Sequence, residues 1–354
     1  MQSRTVLDDR PYTHNLTRGS LIVDARKSLF VAYVDFREEV RAGNFFHTKD
    51  YRAFGLGQSP FWLHLENRVA GGRDWQWNQG VYRGYAGLES DSAAFRFGRQ
   101  RIAWGTGKLW NPTDVLNPYQ PISVEREDRR GVDVAYFRGS LGELSQFEVA
   151  YAPQTHERDA QFLDRLRTHV GRADLSVVGG KVAGDVDAWM LGGDFAADLG
   201  GGSAHGEFSH TEPMVRKPFD RVLAGYEYRF PGGQKLPWLD DLWLLAEYYH
   251  NGGGARETAR YDFVAVLSGR EVAMGREYAG LGVSKEFTPL WTGEVYAIRN
   301  LRDHSVYAGP ALKWNALTNL DLLAGAQVLT GTPQSEYGRL HTIYYLQAVA
   351  FFGS

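Results

Sequence analysis

The chain runs to its end through His341-Thr342-Ile343-Tyr344-Tyr345-Leu346-Gln347-Ala348-Val349-Ala350-Phe351-Phe352, and this stretch decides how the rest is read. Thr342, Tyr344, Leu346, Ala348, Ala350 and Phe352 share one face of a period-two strand, and all but the threonine are apolar or aromatic. A soluble domain rarely finishes on an aromatic strand, because terminal residues fray. A barrel closed within a bilayer requires such an ending: its last strand pairs with its first, so that no backbone edge faces hydrocarbon.

The same alternation recurs upstream. Phe30, Ala32, Val34 and Phe36 oppose Tyr33, Asp35 and Arg37; Phe61, Leu63 and Leu65 oppose Trp62, His64, Glu66 and Arg68. Phe147, Val149 and Tyr151 oppose Glu148 and Ala150; Ala224, Tyr226, Tyr228 and Phe230 oppose Gly225, Glu227 and Arg229. Val306 to Trp314 and Leu320 to Val328 repeat it. Two segments depart from it: both faces of Leu242 to Tyr249 are apolar, and Arg165 to Arg172 alternates poorly. Lumen faces that pack against a loop would have this character.

Tight connections at Thr288-Pro289, Asn315 to Thr318 and Gly139/Gly142 contrast with long polar ones at Asn44 to Gly57, Gly105 to Asp128, Pro153 to Asp164 and Gly252 to Arg260. Short turns at one rim and long loops at the other fit a transmembrane barrel. At ~9–11 residues per crossing the chain predicts roughly 16 strands, with about 14 or 18 as alternatives. Residues 1–354 read as a single all-β, antiparallel up-and-down barrel domain. The rival architecture is a soluble sandwich or propeller, in which the apolar faces would meet one another.

Composition agrees. The 354 residues include 41 glycines, 19 tyrosines, 19 phenylalanines, 10 tryptophans and no cysteine, with a formal net charge of −3. Mean hydropathy is −0.38, and no run approaches the ~18 apolar residues of a spanning helix. Without cysteine there are no disulfides, zinc–thiolate sites or covalent c-type haem. The charge balance gives no reason to expect a nucleic-acid partner. The expected surroundings are outer-membrane lipid and lipopolysaccharide, with assembly into a homo-oligomer left open. The opening Met1-Gln2-Ser3-Arg4 carries no leader, so the expectation is a mature chain with an added initiator Met; Gly353-Ser354 then reads as an appended scar.

The stretch Arg96-Phe97-Gly98-Arg99-Gln100-Arg101 breaks the pattern, since Arg99 and Arg101 fall on the parity of Phe95 and Phe97. An arginine at the bilayer midplane of a barrel costs ~2–4 kcal/mol. The strand is therefore expected to bulge near Gly98 or to leave the hydrocarbon by Arg99. Beyond Gly105 two Asn-Pro pairs end strand geometry. Residues 105–128 are a candidate constriction loop, folding inward on Trp104, Leu109, Trp110 and Leu116.

The run GRQRIAWGTGKLWNPTDVLNP, from Gly98 to Pro118, resembles a motif of Gram-negative outer-membrane porin-like barrels, among them the alginate-export barrels. That resemblance implies a passive channel whose arginines line an anion path. The candidate pore residues are Arg96, Arg99, Arg101, Lys108, Asp114, Arg126, Arg129, Arg130 and Asp133, with Glu125, Glu127 and Asp128 beside them. Arg165, Arg167 and Arg172 would extend the patch. The function expected is passage of hydrophilic, anionic, small or oligomeric solutes, the arginines forming an eyelet. In the competing reading the same residues form Arg–Asp/Glu pairs that tie the loop to the wall.

Other classes find less support. Ser209-His210-Thr211-Glu212 and Phe46-His47-Thr48 with Asp50 hold polar residues, but neighbours in a strand face opposite ways and neither carries a nucleophile motif. The ten histidines are scattered, and no loop has EF-hand spacing. No enzyme activity, cofactor or metal is expected. A non-transporting scaffold for a surface or electron-transfer partner, and an outer-membrane hydrolase, are the alternatives to a pore.

Overall fold

The computed structural model describes residues 1–53, 61–118, 121–124, 128–155, 159–182, 188–233, 235–267 and 271–352. Within them lie twenty strands. The first six are β1 (Gln2–Arg4), β2 (Pro11–Thr13), β3 (Asn15–Lys27), β4 (Phe30–Ala42), β5 (Glu66–Gly71) and β6 (Trp75–Glu89). β7 (Ala93–Gln100), β8 (Val132–Ser140), β9 (Ser145–Ala152), β10 (Gln161–Val170), β11 (Ala173–Val182) and β12 (Ala188–Leu199) follow. β13 (Gly202–Pro213), β14 (Phe219–Arg229), β15 (Trp243–Asn251), β16 (Glu277–Thr288), β17 (Trp291–Asn300), β18 (Val306–Leu317), β19 (Leu320–Thr330) and β20 (Ile343–Ala350) complete the wall. Among the described residues no helix is long and apolar enough to cross a membrane.

Every pairing is antiparallel, and from β6 to β20 each strand pairs with the next. Gly80 of β6 pairs with Arg37 of β4 on one flank and Glu66 of β5 on the other, so β5 extends the line of β7. β2 leads directly into β3. The twenty strands, less these two collinear ones, fill eighteen positions, against the roughly sixteen expected. An antiparallel ring needs an even number.

Closure follows the expectation only in part. β20 meets β1 through Gln2 opposite Tyr344, with Ser3 Oγ donating to the Thr342 carbonyl at 3.0 Å. β1 in turn pairs with β2. Below that rim no register pairing joins β20 to β3 among the described residues.

The faces separate the barrel from the sandwich. Outward positions carry exposed apolar side chains such as Phe137, Trp189, Leu191, Phe208, Tyr248, Leu281 and Leu346. Inward positions bury polar ones, including Asp194, His205, Glu207 and Glu247. A water-soluble protein does not present so continuous an apolar surface, whereas lipid requires it. Connections follow the same polarity. Two-residue turns join β3 to β4, β10 to β11, β12 to β13, β16 to β17 and β18 to β19 at one rim. At Gly200-Gly201 both residues have positive φ (59° and 85°), as a tight hairpin that matches strand twist demands. The connections after β4, β7, β9, β15 and β19 lie at the other rim, and only that from β14 to β15, residues 230–242, is long at the rim of the tight turns.

Two local expectations are corrected. Phe61 to Leu65 alternates like a strand but lies off the sheet, which resumes only at Glu66. Of the two alternatives for β7, a bulge near Gly98 or an exit from the hydrocarbon by Arg99, the first is ruled out, because the register runs unbroken against both neighbours. The bulge lies instead in β6, where Val81 and Arg83 oppose the adjacent Phe36 and Asp35 and Tyr82 is the extra residue. At Gly98 φ is 132°, and a Cβ there would run into the Gly84 carbonyl.

Candidate functional site

The described residues of the connection between β7 and β8, within 101–131, turn into the lumen. Ile102, Trp104 and Leu116 pack on inward side chains of β8 to β12, including Val134, Leu163, Val178 and Met190. Leu109 and Trp110 pack farther round the wall on Leu223, Leu245, Tyr249, Tyr278 and Ile298. The Trp110 ring stacks on Tyr249 with centroids 5.3 Å apart. Gly280 makes the socket, because a Cβ there would meet the Trp110 ring at 2.9 Å. Burying these apolar groups accounts for the odd strands: the lumen faces of Leu242 to Tyr249 are apolar because the loop covers them.

Two wall carboxylates clamp the loop backbone. Glu207 Oε1 accepts from the amides of Thr106 (2.6 Å) and Gly107 (2.8 Å), and Oε2 accepts from the amide (3.0 Å) and hydroxyl (2.8 Å) of Thr113. Glu247 accepts from the amides of Lys108 (2.6 Å) and Leu109 (2.9 Å), and its Oε1 lies 2.9 Å from His205 Nε2. Both glutamates are buried. Charge-assisted bonds of this kind offset the cost of desolvating a carboxylate and fix the loop's position.

The opposite part of the wall is basic. Inward-facing Arg18 of β3, Asp35, Arg37, Glu39 and Arg41 of β4, and Tyr82 and Arg83 of β6 lie side by side. Arg18 Nε donates to Glu39 at 2.9 Å, and Arg37 donates to Asp35 at 2.8 Å while lying 3.3 Å from the Tyr82 ring centre. The loop reaches this wall through Asp128, which accepts from Arg37 (2.6 and 2.9 Å) and Arg18 (3.3 Å).

The candidate residues separate into distinct places. Arg96 pairs with Glu89 and lies under the Tyr85 ring. Arg99 has no exposed surface: it pairs with Asp133 (2.8 Å) and Glu66 (2.9 Å), donates to the Leu63 carbonyl (2.6 Å) and sits over Phe61. The off-sheet segment Phe61 to Leu65 thus helps to enclose Arg99, through the Phe61 ring and the Leu63 carbonyl. Arg130 joins the same network through Glu66 at 2.5 Å. Arg129 pairs with buried Asp114 at 2.8 Å and donates to the Asn117 carbonyl at 2.8 Å. Lys108 is exposed and lies 3.3 Å from Glu227, and Arg101 is exposed at the loop's start. Arg126, Glu125 and Glu127 lie outside the described residues. Arg165 is buried on the wall beneath Trp104, Arg167 pairs with Asp174, and Arg172 is at the short-turn rim, so these three do not join the group. Sequence reasoning missed Arg18, Arg83, Glu207 and Glu247; it placed Arg37 on the lumen parity without seeing its partners.

Two loop carboxyls differ in proton affinity. Burial pushes Asp114 up to about 7, against the opposing charge and hydrogen bond of Arg129. Asp128 is pushed up by burial too, but the hydrogen bonds and charges of Arg37, Arg18 and Arg83 win and hold it below the ordinary value. Above the loop, toward the long connections, opens a chamber of about 1050 Å³ lined by Asn111, Asp114, Leu116, Arg216, Arg221, Arg260 and Glu271. Ser209 and His210 fall on opposite faces, His210 bonding Asp220 at 2.6 Å. Among the described residues no group of three or more His, Cys, Asp or Glu side chains is placed to hold a metal.

No family model matches the chain, and no curated protein is similar to it in sequence. Solved structures are. OccK5 (OpdH) of Pseudomonas aeruginosa superposes with a TM-score of 0.55 over 96% of both chains, at 10% identity. OmpF of Salmonella typhi, solved in complex with daunomycin, gives 0.50 over 99% of this chain and 94% of its own, at 11% identity. The fold is that of the outer-membrane porins. The alginate-export resemblance, and the motif from Gly98 to Pro118 on which it rests, gain no support from these matches.

Proposed function

We propose that the protein is an outer-membrane channel of a Gram-negative bacterium, set in lipid and lipopolysaccharide, through which small hydrophilic anions diffuse passively. One observation carries this reading. A loop clamped to one side of the lumen by Glu207 and Glu247 faces, on the other side, a wall bearing Arg18, Arg37, Arg41 and Arg83. In this reading the clamped loop narrows the bore, and the guanidinium groups give the passage donors that match carboxylates and phosphates. Nothing in the Ser209–Glu212 group forms a nucleophile–base pair, so the reading is of a channel and not of a hydrolase.

The test is single-channel recording in planar bilayers under a KCl gradient. Discrete steps with a reversal potential on the anion side are expected, and Arg37→Ala with Arg83→Ala moves that potential toward cations. Folded protein that gives no step retires the channel. Steps with an unmoved potential in the double variant retire the anion preference alone.

A further inference from the structure

The connection from β14 to β15, residues 230–242, stands out at the rim of the tight turns by its length and by what it exposes. Its base continues the hairpin: the Phe230 amide donates to the Leu242 carbonyl at 3.0 Å, and the Asp241 amide to the Phe230 carbonyl at 3.1 Å. Its far part closes on itself through a 3-10 turn, Pro237–Leu239. There the Leu239 amide donates to the Leu236 carbonyl at 2.9 Å and the Leu242 amide to the Leu239 carbonyl at 3.0 Å. The loop is thus held by its own backbone, yet Lys235, Leu236, Pro237 and Trp238 are all exposed, Leu236 by 52% and Trp238 by 60%. Adjoining apolar side chains that an ordered loop turns outward mark a contact surface. Two side chains fix the way the loop leans. Lys285 Nζ donates to the Asp240 carbonyl at 2.6 Å, and Lys285 has the parity of Leu281 and Val283, exposed outward residues of β16. Arg229 Nη1 holds the Asp241 carbonyl at 3.2 Å. At the stem the Tyr228 and Phe230 rings pack edge to face at 4.9 Å, on the outward parity of Tyr226. The exposed patch therefore continues the apolar outer face of β14 to β16 beyond the strand ends.

We propose that this loop is a membrane-surface foot: Leu236 and Trp238 enter the headgroup region of the phospholipid leaflet at the short-turn rim, and Lys235 meets the lipid phosphates. The proposal rests on the barrel spanning a bilayer and is independent of conduction. Each residue type suits the place. An indole has an apolar body and one polar N–H, which favours the boundary between hydrocarbon and water. Leucine adds apolar contact, and lysine lays its methylenes along the apolar layer while its ammonium reaches the phosphates. Shallow apolar burial with attraction to anionic lipid is how a segment lies on a membrane without crossing it. Because the turn is already ordered by its own amides and by Lys285 and Arg229, little ordering cost remains to be met on contact. Lipid is the occupant because the patch is continuous with the face that lipid already covers. Aromatic side chains of the wall are placed by the pleat of their strands; Trp238 is carried past the strand ends, where it can brace the barrel against tilting.

The chain has no cysteine, so one introduced thiol takes a label at a single place. Three variants are compared: Trp238→Cys in the foot, Leu281→Cys on the outward face of β16, and Gln334→Cys, exposed in the connection from β19 to β20 at the opposite rim. Each carries the polarity-sensitive fluorophore NBD and is reconstituted into vesicles of phosphatidylethanolamine and phosphatidylglycerol, with iodide on both sides of the membrane as the aqueous quencher. The label at 238 is expected to emit to the blue of the label at 334. It should be quenched by doxyl-labelled phospholipid, as at 281, and several-fold less by iodide than at 334. A label at 238 that iodide reaches as readily as at 334, and doxyl lipid does not, overturns the proposal. Protection from both quenchers would mark a protein contact and overturns it as well. Leu236→Cys gives the same comparison if the label at 238 disturbs the turn. Absence of doxyl quenching at 281 retires the membrane-spanning reading and the foot with it, whereas quenching at 281 without quenching at 238 retires the foot alone.

Discussion

Asp114 and Asp128 belong to the same loop and each pairs with arginine, yet their carboxyls move in opposite directions. Asp114 has a fully buried side chain and one guanidinium at 2.8 Å, and it rises to about 7. Asp128 keeps a share of solvent, faces three guanidinium groups and falls below the ordinary value. One ion pair does not offset the loss of water around a charge; several, at the solvent edge, do. The loop is accordingly two structures in one. Its clamped half is held by buried amides, carboxylates and ring stacking, and its basic-wall half by ion pairs that salt and solutes can reach.

The comparison breaks most severely at Glu207. Glu207→Ala leaves three loop amides and the Thr113 hydroxyl without their acceptor in a buried place. At ~1–3 kcal/mol for each buried donor left unmade, with partial relief from entering water, roughly 3 kcal/mol of stability or more should go. Thermal denaturation in detergent measures the loss. Protease cleavage between residues 101 and 131, absent from wild type, would show that the clamped half has come away. A variant as stable as wild type would mean that the apolar packing of Leu109 and Trp110 positions the loop unaided.

Proton concentration sharpens the comparison next. An acid whose folded pKa is raised binds more protons in the native than in the unfolded state between its ordinary value, ~3.9, and its native one. Stability from Asp114 is therefore full below ~4 and is lost as pH rises through about 7. Glu336, buried in the connection from β19 to β20 and bonded by Tyr278 (2.7 Å) and Asn300 (2.7 Å), is likewise pushed up to about 7 by burial. The thermal midpoint should fall from pH 5 to pH 8, and Asp114→Asn should remove its own share of the slope. Protonation of Asp114 also leaves the Arg129 charge uncompensated, so the anion preference should strengthen as pH drops through 7, and not in Asp114→Asn. A flat reversal potential across that range would place Arg129 away from the ion path.

How much of this could be read in the chain follows from the range of each interaction. Alternation is local, so Tyr344, Leu346 and the faces of β4, β9, β18 and β19 were legible, and with them the barrel. The inward loop was legible too, from Trp104, Leu109 and Trp110 in a stretch that cannot be strand. The clamp was not: Glu207 and Glu247 look like any lumen-parity acid until amides from about a hundred residues away meet them. Phe61 to Leu65 misled because apolar alternation does not distinguish a strand from a segment that caps Arg99. The arginine cluster escaped because its members sit on three strands and acquire meaning only through Asp128.

The smallest effect is expected at Lys108, where clamp and charge separate within one residue. Its amide donates to Glu247 at 2.6 Å, whereas its ammonium is 46% exposed and 3.3 Å from Glu227. Lys108→Ala keeps the amide and deletes only a solvent-screened pair, so the stability change should stay within about 1 kcal/mol. The reversal potential should move toward cations by less than in Arg37→Ala with Arg83→Ala, because the lysine stands across from the arginine cluster and not within it. Were Lys108→Ala to cost as much as Glu207→Ala, the loop would be held by its side chains and not by its backbone, and the contrast between its two halves would collapse.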